Sequence, residues 1–157
     1  MSSHKSPKYS RIIEAVRQRV EQISPSNGFY TDIGRDIRLD MRTPQISDMP
    51  VSLVYAGGRT VESTMGCNSR VEMEINVIGY LELTGEPFLT LGDYIQSDIQ
   101  RAVELADNSL GGLLRRQYGL TFSDSEIFMP EIGASAVGAR VTYSAPHIRI
   151  TGDPEIK

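Results

Sequence analysis

Glu72 and Glu74 stand two residues apart in RVEMEINVIGYLEL, the stretch from Arg70 to Leu83. On an extended strand that spacing puts both carboxylates on one face at roughly 7 Å, a separation that glycosidases also use between their acids. Nothing around them sets one acid apart from the other, and the outer face of a strand needs acids for solvation in any case. The two histidines offer less. His4 lies in the polar segment MSSHKSPKYS and His147 follows Pro146, with no HxH, HExxH or CxxC spacing, so neither a metal site nor a cofactor is expected. Cys67, the one cysteine, sits in TMGCNSR and reads as a loop thiol with no internal partner for a disulfide. Ser24, Ser26, Ser69 and Ser109 occupy turn-like contexts, without the GxSxG elbow of a nucleophile. Arg115 and Arg116 adjoin Gly111-Gly112, where salt bridging or subunit contact is favoured over phosphate binding. Gly57-Gly58 and Gly111-Gly112 lack the lysine of a phosphate loop and read as turns. The chemistry argues against an enzyme.

The elements that would carry these residues are clear at three places. Val71, Met73, Ile75, Val77, Leu81 and Leu83 alternate with Glu72, Glu74, Asn76, Tyr80 and Glu82, which predicts a long amphipathic strand of about 45 Å. Such a strand is expected to overhang its own domain and to be completed by a neighbouring chain. Ile12, Ile13, Val16, Val20 and Ile23 recur at helical spacing, predicting a helix from Lys8 to about Ile23 that stops at Ser24-Pro25. Leu91, Ile95, Ile99, Ala102, Val103 and Ala106 predict a second helix over Leu89 to Ala106, with Asp93 in its first turn. Ala136 to Ile150 reads as another long strand, with Val137, Ala139, Val141, Tyr143 and Ala145 on one face, and Pro146 placing His147 to Ile150 at an edge or in a bent extension.

Between these lie shorter pieces. Ile37, Leu39 and Met41 alternate with charges in Asp36, Arg38, Asp40 and Arg42, predicting a strand whose sharper reading is an interface edge. Val51 to Tyr55 is a short strand, followed by a turn at Ala56-Gly57-Gly58-Arg59 and a long connection to Ser69. That connection and Asp107 to Leu120 are expected to be mobile and to order on assembly. Ile127 to Met129 suggests one more short strand. The fold class is α+β: a single domain over residues 1–157, with 1–7 as a tail, in which an antiparallel or mixed sheet with long strands is flanked by two main helices.

Composition narrows the partners. The net charge of −4 is uneven: residues 1–42 carry eight basic against five acidic groups, and residues 71–110 carry one against eight. An acidic middle disfavours nucleic-acid binding, and no run is long enough to span a membrane. The N-terminus lacks the apolar stretch of a signal peptide, so a cytoplasmic site of synthesis is expected.

The order of elements resembles the tail terminator proteins of long-tailed bacteriophages, of the minor tail protein U type. The resemblance rests on an opening helix ending before a proline, short strands, RVEMEINVIGYLEL, the helix LGDYIQSDIQRAVELA with Leu113-Leu114, and EIGASAVGARVTYSAPHIRI. It covers roughly residues 8–150 and is a pattern of element order and character rather than a signature motif. It implies a ring of six copies at the head-proximal end of the tail in the virion, with the tail tube protein and the head-tail connector as partners, and no catalytic residue. On that reading Asp36, Arg38, Asp40, Arg42, Glu72, Glu74, Arg115 and Arg116 are candidates for subunit seams. Glu72, Glu74, Glu82 and Asp98 are candidates for an acidic lumen through which DNA passes unbound. A head-tail connector or stopper protein of the neck is the nearest alternative, and a small ligand-binding module the alternative from another class.

Overall fold

A five-stranded sheet with two helices on one face forms the protein. The computed structural model describes residues 7–65, 68–105, 107–114, 119–130 and 135–150. In chain order the elements are α1 (Lys8–Val20), β1 (Ile37–Arg38), β2 (Val51–Met65), β3 (Asn68–Glu82), α2 (Phe88–Glu104), β4 (Thr121–Phe128) and β5 (Ala136–Ile150), with short 3-10 turns at Pro25–Asn27 and Ile46–Asp48. The strand order is β1-β2-β3-β5-β4, with β1 parallel to β2 and every other pair antiparallel. The α+β class is as the periodicity predicts.

Period-two alternation decides which face each side chain takes. Val71, Met73, Ile75 and Val77 of β3 and Val137, Ala139, Val141, Tyr143 and Ala145 of β5 are buried beneath Ile12, Val16 and Val20 of α1 and Leu91, Ile95, Ile99 and Val103 of α2. Gly79 belongs to the same face. A methyl group there would lie 2.6 Å from Ile95 Cγ2 and 2.7 Å from Ile33 Cδ1, so the absent side chain is what lets α2 and the segment after α1 close on the sheet. Gly79→Ala is expected to lower stability by about 1–3 kcal/mol through overpacking, as read from urea unfolding. Unchanged stability would mean that the two isoleucines repack freely.

Several expectations change. The connection after Tyr55 is not a loop: β2 continues to Met65 and pairs with β3 throughout, the Gly57-Gly58 pair forming an irregularity in register between Ala56 and Arg59. At Gly57 a Cβ would fall 2.0 Å from Glu74 Oε2, so the Glu74 carboxylate occupies the space that the absent side chain leaves. The strand anticipated up to Met41 shrinks to Ile37–Arg38, and the residues from Leu39 to Arg42 are exposed and irregular. Asp93 falls in the second turn of α2, whose first turn holds no acid. The far end of β5 agrees with expectation, since pairing with β4 ends at Ser144 and Pro146 lies where β5 has β3 alone beside it.

The long strand itself is central, not peripheral. β3 is paired with β5 along its whole length and with β2 from Asn68 to Tyr80, so it has almost no edge to offer a neighbour. Nor does the sheet overhang its helices for most of that length: Val71 and His147 are each only 1% exposed. At this end Tyr9 of α1 meets the His147 ring edge-on at 5.3 Å, and the Arg59 guanidinium stacks over Tyr9 at 3.6 Å. His147 Nδ1 bonds the Ala145 carbonyl at 3.1 Å, while Nε2 is buried with no hydrogen-bond partner. Burial, with Lys8 and Arg59 nearby, holds the imidazole pKa below its ordinary 6.5.

That shift has a sign. As pH falls through about 6.5 the unfolded chain takes up a proton that the folded chain refuses, so stability should decline below that pH until the folded histidine titrates as well. Unfolding midpoints from pH 7.5 to 5 should show the slope, reduced in His147→Gln. An identical slope in that variant would move the effect to other groups.

Candidate functional site

The face of the sheet turned away from the helices divides in two. Near the start of β2 it is apolar: Val51, Leu53, Ile78, Tyr80 and Ala136 are buried under Met49, with Ile46 and Phe128 packed against them. Phe128 meets Tyr80 edge-on at 5.9 Å, over Gly138, where a Cβ would lie 2.6 Å from the ring. Tyr80 therefore belongs to a second small core rather than to a solvated face.

Toward the hairpin end the same face is uncovered and polar. Strand register places Glu74 and Asn76 of β3 opposite Ser144 and Thr142 of β5, with Glu72 and Arg140 on the same face and Asp124 and Glu126 of β4 beyond. Ser144 Oγ donates to Glu72 Oε1, and Thr142 Oγ1 donates to Asn76 Oδ1 at 2.8 Å. The Arg140 guanidinium reaches Asp124 and Glu126 at 3.6 Å each. A groove runs along this surface, lined by Met41, Tyr55, Glu74, Asp124 and Arg140 among others. Serine and threonine here form hydrogen bonds to a carboxylate and an amide of β3. Among the described residues no group of three or more metal-binding side chains is gathered in one place, and no helix is long and apolar enough to cross a membrane.

The predicted site residues scatter. Glu72 and Glu74 do share the open face, and Glu82 is exposed at the end of β3 opposite Ala136. Asp98 is different: it is 1% exposed and accepts hydrogen bonds from Tyr30 N (3.1 Å), Thr31 N (2.7 Å) and Thr31 Oγ1 (2.6 Å), so it anchors the segment after α1 and cannot line a lumen. Arg38 is held by Asp36 at 3.2 Å and Asp48 at 3.4 Å within its own chain. Asp40 accepts from Arg42 N at 2.9 Å, which bends the chain locally. Arg115, Arg116, Cys67 and His4 lie outside the described residues.

The segment after α2 is shaped by Asp107. Asp107 Oδ1 accepts from Ser109 N at 2.9 Å and Oδ2 from Gly111 N at 3.2 Å, and these bonds hold its carboxyl below the usual carboxylate range. Arg19 of α1 reaches the Val103 carbonyl at 2.9 Å and the Asp107 carbonyl as well. Leu110, Leu114 and Leu120 are buried, so the described part of this connection is tied to the core rather than loose. An Asp-Asn-Ser start followed by two glycines carries the signal for such a turn.

The edges of the sheet are the other candidate surface, and periodicity alone could not locate them. Among the described residues β1 covers β2 only at Ser52 and Leu53, and β4 pairs with β5 on one side only. Exposed apolar side chains sit on both edge strands: Val61 on β2 at 55% and Phe122 on β4 at 44%. Compared with known proteins, the chain matches no protein-family model and no curated sequence. The functional reading therefore rests on the fold, the surfaces and the resemblance in element order.

Proposed function

We propose that the chain is a structural subunit of a phage tail terminator, closing into a ring, with six copies as the resemblance implies, at the head-proximal end of the tail tube. The observation that carries the reading is a sheet of three 15-residue strands whose flanking strands are too short to cover them, leaving both edges open among the described residues. Open edges are an aggregation hazard unless a partner occupies them, and a closed ring removes them. One face of such a ring meets the last tube subunits; the other meets the head connector.

The open sheet face fits the lumen better than the original set of acids. Glu72, Glu74, Asp124 and Glu126 stand there with Arg70 and Arg140, while Glu82 lies beyond the apolar patch at the far end of β3; the open face carries an excess of negative charge that repels a duplex in transit. Imaging of native tails labelled on this chain should reveal one multi-copy ring at the head-proximal end. A single copy, or a position elsewhere in the particle, would reject the reading.

A further inference from the structure

The two open edges match each other. β2 runs antiparallel to β3, β3 to β5, and β5 to β4, so β2 and β4 point in opposite directions. Laying β4 of one copy beside β2 of the next thus continues the antiparallel alternation with neither copy turned over. The contact uses two different surfaces, which is the head-to-tail kind that generates a ring when the rotation closes. Pairing an edge with itself would instead give a two-fold dimer.

Side chains on the edges support the match. Val61 lies opposite Val71, and Phe122 opposite Tyr143, so both belong to the helix-covered face although neither is itself covered. Tyr143 lies opposite Ile75, so Phe122 stands four residues along β3 from Val61 (75 − 71 = 4), or about 13 Å. A closed sheet requires a stagger of this kind, because its strands tilt relative to the axis. Neither Val54 to Val61 nor Thr121 to Phe128 contains a proline or lysine, the residues that commonly guard an edge. The charges they do carry are engaged within the chain, Arg59 on Tyr9 and Asp124 and Glu126 with Arg140.

We infer that β4 of one copy adds to the outer edge of β2 in a second copy, with Phe122 against Val61, so that the assembly is one continuous sheet. The inference deepens the ring reading by naming its seam. Both side chains are substantially exposed, so Val61→Lys and Phe122→Lys should leave the fold intact, which circular dichroism and thermal unfolding would verify. At concentrations where light scattering finds the wild type multimeric, each variant alone should be monomeric. Mixed together they should form a dimer and nothing larger, since each supplies the one edge the other lacks. As a second readout, Val61→Cys with Phe122→Cys in a Cys67→Ser background should give a ladder of multimers on oxidation, and either single variant none. Multimers that persist in the lysine variants, dimers formed by one cysteine variant alone, or a chain that is monomeric at every concentration would each overturn the seam. The ring reading is judged separately, by whether this chain sits as a multi-copy ring at the tail end.

Discussion

Asp98→Ala is expected to lower the unfolding free energy by about 3 kcal/mol, a large share of the 5–15 kcal/mol typical of a domain. Three donors converge on this carboxylate, and two of them belong to Thr31, itself buried. Removing the acceptor strands those donors away from water, and the loss spreads because the same segment carries Ile33 into the core. Ser52 Oγ donates to the Ile33 carbonyl at 2.6 Å and Gly34 N to the Ile23 carbonyl at 3.1 Å, so the anchor ties α1, α2 and β2 together. The melting temperature should fall by on the order of 10 °C. Asp98→Asn, which keeps one acceptor oxygen, should lose less. If both variants melt with the wild type, the segment after α1 is held by its apolar contacts alone.

Asp98 also shows where a sequence stops being informative. In the chain it is one acid in a run with a net charge of −7 over residues 71–110, indistinguishable from the solvated Glu82. Its role depends on a segment 67 residues away that packs across α2, and no local pattern reports that. By contrast, the helices and the long strands β3 and β5 were legible because each buries one periodic face: Ile12, Val16 and Val20 at helical spacing, Val71, Met73, Ile75 and Val77 at every second residue. Ala56 to Arg59 misled for a physical reason. Two glycines normally signal a turn, but here the pair sits inside β2 at a register irregularity, with the Glu74 carboxylate over Gly57. The edges were hidden altogether, since which strand is central is a matter of pairing rather than periodicity. Once β3 is seen to be paired on both sides, the seam moves from the most regular strand to the outer edges of β2 and β4.

On the terminator reading proposed above, loss of the gene is expected to have the largest effect: overlong tails that fail to join heads. Tube subunits polymerise by repeating one head-to-tail contact, and growth stops only when something binds the open end without presenting the next copy of that contact. A terminator matches the tube on one face alone, so without it elongation continues past the normal end and the head finds no docking surface. A neck protein predicts a different particle. Its loss leaves tails of normal length beside unjoined heads, because the signal that ends the tube is still present. Micrographs of lysates from the deletion would separate the two by tail length alone, and normal assembly would exclude both.

Polymerisation of the purified tube protein, imaged by negative stain with and without this chain, tests the central proposal most directly. With the chain present at a few copies per tube end, tubes should be shorter and each should carry a ring on one end only. Tubes that grow to the same length with bare ends, or rings bound along the tube rather than at one end, would contradict it.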